Sequence, residues 1–395
     1  RYYSKPSYKM CWFIYLGTQI GCLTDLLKLM KISSLFFVIL LVLSIADLNA
    51  KGKTRNVIFI TFDGLRWEEV FYGADSLLIN NDDFTKERKD MVKDYWADTP
   101  QSRREKLMPF FWSTINTRGQ LYGNLRKGSV VTLANPYRFS YPGYSEMLVG
   151  YVDLTRDSND KENNPNITIL EYIHNQPGFH GKVAAFCSWD VFDFIINENR
   201  SGVQVNSGVE PFKDKYNRPK IRLLNEIMYQ IPIPWKSVRY DAITHHYAMD
   251  YLDQHKPRLL YIAYDETDEY AHEGKYDQYL MAANRLDKYV AELWNWTQKN
   301  NQYKNKTTIL ITTDHGRGHK TIDAWRNHGS SVAGAEHVWM AVLGPDTPPR
   351  GEISDGEPMT SSQIAATIST FLGFEYSNKK PVGPVMNSMF SDIKQ

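Results

Sequence analysis

Two adjacent side chains able to hold a metal, Asp314 and His315, end an apolar run that begins at Thr307. Carboxylate oxygen and imidazole nitrogen are donors that borderline divalent cations accept together. The pattern recurs along the chain. Asn56-Val-Ile-Phe-Ile-Thr-Phe62 runs into Asp63-Gly64, and Arg258-Leu-Leu-Tyr-Ile-Ala-Tyr264 runs into Asp265-Glu-Thr-Asp268, with His272 four residues further on. Positions i and i+4 of a helix share a face, so Asp268 and His272 can bind one ion. His337 stands just before another apolar run, 338–343. A hydroxyl nucleophile for such a site is Ser140, in Ser140-Tyr-Pro142-Gly143, at or just before a helix N-terminus that favours an anionic oxygen. Ser145 is the rival, but it falls inside the same helix. Each residue alone has a plainer role, since Asp63 and Ser140 are both good helix caps.

Jointly they point to chemistry. Asp63, Asp268, Asp314, His272, His315 and His337 suit two cations with mixed oxygen and nitrogen ligands, zinc first and manganese second. Calcium would ask for more oxygen and less imidazole. Two ions beside a hydroxyl are suited to phosphoryl transfer, one ion activating the nucleophile and the other holding the leaving oxygen. Arg317, His319 and Lys320 follow the Asp-His pair closely and could contact a substrate phosphate. His328, in Asn327-His328-Gly329, is equally undecided between a site role and a solvated loop.

The elements that must position these residues are strands of an α/β sheet. Continuous apolar runs read as strands buried on both faces, expected at 56–62, 128–133, 181–188, 258–264, 307–313 and 338–343. Open α/β sheets bind ligands at the carboxyl ends of their strands, and Asp63, Asp268 and Asp314 stand there. Helices are expected around 242–254, from Tyr276 with Ala283, Leu286, Val290 and Leu293 as the core stripe, and over 361–373, where a glycine ends it. His245-His246 is read as helix surface. Segments near 71–126 and 197–240 are excursions without a sustained period, placed over the sheet and near the site mouth.

Composition fits a globular chain with a large core. The 395 residues are 42% hydrophobic and 23% charged, and 46 basic residues balance 45 acidic ones. No bulk charge points to a nucleic acid polymer. Met30-Lys31, an apolar run over 35–45 and the small-residue stretch to Ala50 read as a secretory signal over 30–50, too short for an ordinary span. Residues 1–29 read as upstream translation, and 51–395 as a single catalytic domain. The expectation is a secreted or periplasmic protein with no stable membrane span once the signal is cleaved. Cys11 and Cys22 lie in the leader, which leaves Cys187 alone in the mature chain, a small core hydrophobe.

The elements Asp63-Gly64, Ser140-x-Pro142, Asp268-x-x-x-His272, Asp314-His315-Gly316 and His337 resemble the alkaline phosphatase superfamily. The likeness is greatest to its nucleotide pyrophosphatase/phosphodiesterase and Ser/Thr-nucleophile phosphatase branch. The resemblance implies a three-layer α/β/α sandwich around a mostly parallel sheet. It also implies hydrolysis of a small-molecule phosphate ester through a phosphoserine at Ser140. Asp63, Ser140, Asp314 and His315 would surround one metal, and Asp268, His272 and His337 the other. An asparagine some twenty residues after the nucleophile often stabilises the transferred group. Asn163, Asn164 and Asn166 are candidates here, Asn164 taken first. Sulfatases of the superfamily need Arg two residues after the proline, where this chain has Tyr144. A sulfate-ester hydrolase and a metal-binding homologue without activity are the alternatives.

Overall fold

The computed structural model describes residues 52–213 and 215–391. The expected leader, 1–29 and 30–50, with Cys11 and Cys22, lies outside the described residues. Gly52–Asp392 packs as one compact unit.

Its frame is an eight-stranded sheet. In chain order the strands are β1 (Asn56–Phe62), β2 (Gln120–Tyr122), β3 (Val131–Thr132), β4 (Val183–Cys187), β5 (Gln204–Ser207), β6 (Leu259–Tyr264), β7 (Thr307–Thr312), β8 (Met340–Leu343), β9 (Gly351–Glu352) and β10 (Met359–Thr360). The large sheet runs β5-β4-β6-β1-β7-β8-β2-β9, and only β8 is antiparallel to its neighbours. The fold is thus α/β with a mostly parallel sheet. Strands β1, β6 and β7 lie at its centre and are buried at every position, which is why they read as unbroken apolar runs. Their alternate side chains feed two cores. Ile58, Ile60 and Phe62 face one, and Val57 and Phe59 face the other.

Helices cover both faces. Those that matter below are α1 (Trp67–Tyr72), α2 (Ser140–Val149), α3 (Asp241–His255), α4 (Glu266–His272), α5 (Tyr276–Lys299) and α6 (Ile364–Phe371). The stripe Leu286, Val290 and Leu293 of α5 joins the first core, and Met147 of α2 with Ile364, Ile368 and Phe371 of α6 joins the second. Fully burying one such side chain contributes roughly 1.5–3 kcal/mol before the cost of ordering the chain.

Four expectations change. The strand expected at 128–133 shrinks to Val131–Thr132 and pairs with β10 in a separate two-stranded sheet. A main-sheet strand instead lies at Gln120–Tyr122, inside the first excursion, too short to show a period. The second excursion contains β5 at the sheet edge and a helix over Pro219–Gln230. His245 is fully buried, with its ring nitrogens against the Tyr264 hydroxyl (2.9 Å) and Glu292 (3.0 Å); only His246 is exposed.

The register sets the site. Phe62 pairs with Tyr264, and Thr61 with Thr312, so the three central strands end in step. Asp63, Asp265 and Asp314 therefore leave the sheet side by side at its carboxyl rim. Strand β8 runs the other way, so the chain before it also starts at that rim.

Candidate metal centre

Asp63 follows β1 directly, and Gly64 beside it takes a positive φ of 58° that a side chain would strain. The turn lets the Gly64 N–H donate to Asp314 Oδ1 at 3.1 Å. Helix α2 arrives from the other side. Gly143 lets it approach closely, because a Cβ there would lie 2.3 Å from the Asp314 carbonyl oxygen. That approach places Ser140, the first residue of α2, with its Oγ 3.5 Å from His315 Nε2. Ser140 does not cap its helix, so its hydroxyl faces the site. One turn on, the Tyr144 hydroxyl donates to Asp63 Oδ2 at 2.9 Å.

His315 Nε2 is the hub. It stands 3.3 Å from Asp63 Oδ1, 3.5 Å from Asp314 Oδ2 and 3.5 Å from Asp268 Oδ1. Its Nδ1 lies 3.0 Å from the Gly316 carbonyl, an outer contact that favours the proton on Nδ1 and leaves the Nε2 lone pair facing the carboxylates. Two donor groups result, Asp63/Asp314/His315 and Asp268/His315/His328. His272 Nε2 joins the second, 3.1 Å from Asp268 Oδ2 and 2.9 Å from His328 Nε2.

These residues fit divalent cations. Asp63 Oδ1 and Asp314 Oδ2 are buried without a hydrogen-bond partner, a costly arrangement unless something cationic meets them. Burial first, and the neighbouring Asp carboxylates second, push both Asp63 and Asp314 well above the usual carboxylate range. A cation reverses that logic. Burial, with His315 beside it, pushes His328 down to about 2, so its imidazole is neutral and able to ligate. Asp268 is also buried, but Arg317 holds its carboxyl well below the usual range.

The structure brings Asp63, Ser140, Asp268, His272, Asp314 and His315 together as expected. Four other expectations fail on placement. His337 is not in either donor group. Its loop does return to the rim, with the Leu133 N–H donating to the Glu336 carbonyl, but the His337 ring turns toward Glu336 and away from the carboxylates. His328 takes that place. Arg317 is fully buried, and its guanidinium donates to the Gly64 and Arg326 carbonyls and to Asp268, which leaves it behind the ligands and out of reach of substrate. His319 is exposed and lines a different cavity, the one His337 lines. Asn164 is fully buried, donating to Ser145 Oγ at 3.1 Å and accepting from the Asn166 N–H, so both ends of its amide are engaged away from Ser140.

A cavity of about 380 Å³ opens over the cluster, and the asparagine in its wall is Asn159. Its Oδ1 accepts from the Tyr141 N–H at 3.0 Å, which anchors it beside the start of α2. Trp189, Val238 and Glu269 complete the mouth, and burial raises Glu269 to about 7. Sequence spacing could have found Asn159, nineteen positions after Ser140, had the count alone decided. Trp189 carried no signal.

Comparison with known proteins follows the same lines. Residues 236–376 match the metalloenzyme superfamily. No curated protein matches the chain. Among solved structures, wild-type alkaline phosphatase PafA superposes with a TM-score of 0.55 at 10% identity, covering 86% of this chain and 99% of that one. A putative sulfatase from Bacteroides thetaiotaomicron gives 0.53 at 11% identity over 85% of this chain and 74% of that one. The lipoteichoic acid synthase LtaP from Listeria monocytogenes gives 0.50 at 10% identity over 87% and 76%. At such identities the likeness is one of fold. No helix among the described residues is long and apolar enough to cross a membrane.

Proposed function

We propose that this chain, which shares the fold of alkaline phosphatase PafA and matches the metalloenzyme superfamily over residues 236–376, hydrolyses phosphate esters at a two-metal site, through a phosphoserine on Ser140. The observation that carries this reading is the Ser140 hydroxyl 3.5 Å from the imidazole nitrogen common to both donor groups. Asp63, Asp314 and His315 would hold one divalent ion with the Ser140 oxygen beside it, and Asp268, His272 and His328 the other. The mixed donor set favours zinc over manganese. Ions bound there would favour the ionised serine and offset charge on the transferred group.

The chain's own residues do the rest. Ser140 Oγ attacks phosphorus, its proton lost to solvent, and the ester oxygen leaves. Water then attacks the phosphoserine and releases phosphate, regenerating the hydroxyl. The free amide N–H₂ of Asn159 is placed to hold an oxygen of the group in flight. Tyr144 steadies Asp63 and occupies the place where sulfatases of this superfamily need arginine, which favours phosphate over sulfate. Export to the cell exterior or periplasm belongs to this proposal as well, on the signal-like segment 30–50. The test is turnover of an aryl phosphate beside the matching aryl sulfate. Phosphate hydrolysis lost in Ser140→Ala, with bound metal retained, supports the reading; faster sulfate turnover would replace it with the sulfatase reading.

A further inference from the structure

The carboxyl rim holds a second and larger cavity, about 600 Å³, within the range of small-molecule sites. It opens between the chain leaving β1, the chain leaving β2 and the loop after β7. The segment from Gly316 to His328 separates the two cavities: His328 faces the first, and His319, Lys320 and Trp325 face the second.

Three independent features of this cavity point to a ligand. Trp325 is 1% exposed, yet its indole N–H has no partner, and His337 Nδ1 is likewise buried and unpaired. Buried polar atoms left unmet in this way cost about 1–3 kcal/mol each. Lys320 and Arg126 also line the cavity. Lys320 forms no ion pair, and Arg126 lies over the Tyr72 ring at 4.2 Å with no carboxylate against it. Of the other charged groups in the wall, Arg66 and Asp75 have partners, and Glu68 is a carboxyl whose charge burial disfavours. Arg66 is paired with Glu69, Asp75 accepts from the Leu77 and Leu78 N–H groups, and burial raises Glu68 to about 7. Finally, Leu77 at 68% and Ile322 at 42% exposure leave apolar surface at the lip.

We propose that this cavity binds an amphipathic organic anion, its apolar body against Leu77 and Ile322 and its acidic group reaching Lys320 and Arg126. The site stands on its own residues and does not depend on the ester chemistry proposed for the metal cluster.

Isothermal titration of the full chain with anilinonaphthalene sulfonate tests it, since a sulfonate carries no ester to hydrolyse. The double variant Arg126→Gln/Lys320→Gln should weaken binding about tenfold or more, the loss of two charge-assisted contacts. Asp314→Asn, in the metal cluster, should leave binding unchanged. Neutral phenyl naphthylamine should bind about tenfold more weakly than the sulfonate. Equal binding of the neutral compound, wild-type affinity in the double variant, or loss of binding in Asp314→Asn would each overturn the proposal.

Discussion

His315 Nε2 lies 3.3 Å from Asp63 Oδ1 and 3.5 Å from Ser140 Oγ, so one imidazole joins the end of the central strand to the start of α2. That contact ties Ser140 and the Asp63 carboxylate together across the junction of β1 and α2. It depends on Gly143, where a Cβ would strike the Asp314 carbonyl. Gly143→Ala should therefore push α2 outward and lower turnover about 100-fold, the scale of a misplacement near 1 Å. Wild-type rates in that variant would mean the close approach has no bearing on catalysis.

The exchange of His337 for His328 yields a second prediction. His328→Ala should weaken metal binding at least as much as loss of an outer-shell partner, about 100-fold, whereas His337→Ala should leave metal content unchanged. Metal analysis after dialysis against a weak chelator reads both. The reverse order of effects would restore His337 as the ligand.

Asn159 and Asn164 should separate by readout. Asn159→Ala is expected to lower kcat about 100-fold, as for loss of one oxyanion donor, with little change in stability. Asn164→Ala should instead cost about 1–3 kcal/mol of stability, because it leaves Ser145 and the Asn166 N–H without their buried partner.

Arg317 supports Asp268 from behind. In metal-free protein, Arg317→Met takes from that buried carboxylate its guanidinium partner and should destabilise the fold by roughly 3–5 kcal/mol. Denaturant unfolding measures the loss. A variant that folds as stably as wild type but binds substrate poorly would return Arg317 to the substrate side.

His245 predicts a pH dependence. Burial holds its imidazole down to about 4, against an ordinary value of 6.5, so the folded protein keeps it neutral. Below pH 6.5 the unfolded chain takes up the proton and the folded one does not. Its stabilising contribution is therefore present above pH 6.5 and lost as pH falls toward 4, by about 3 kcal/mol. His245→Gln should flatten that part of the curve of stability against pH.

What was legible in the sequence was whatever the sheet dictates. Strands buried on both faces must be apolar, so β1, β6 and β7 stood out, and the residues just past them had to lie at one rim. Asp63, Asp268, Asp314 and His315 followed from that alone. His337 misled because an antiparallel strand also begins at the rim, and position along the chain does not say which way a ring turns. His328 sits in a loop without a period, and only the packing of that loop against Arg317 brings its ring over His315. Arg317 and Asn164 read in the sequence as contacts to the substrate and the transferred group, but tertiary contacts bury them. The strand at Gln120–Tyr122 is held by its neighbours in the sheet, not by any pattern of its own.

The central claim is that Ser140 carries the phosphoryl group. The direct measurement is mass analysis of peptides after the metal-loaded enzyme meets an aryl phosphate and is quenched in acid. One added phosphoryl group is expected on the peptide containing Ser140, absent in Ser140→Ala. Full turnover of the aryl phosphate by Ser140→Ala, with no phosphorylated peptide in the wild type, would contradict it.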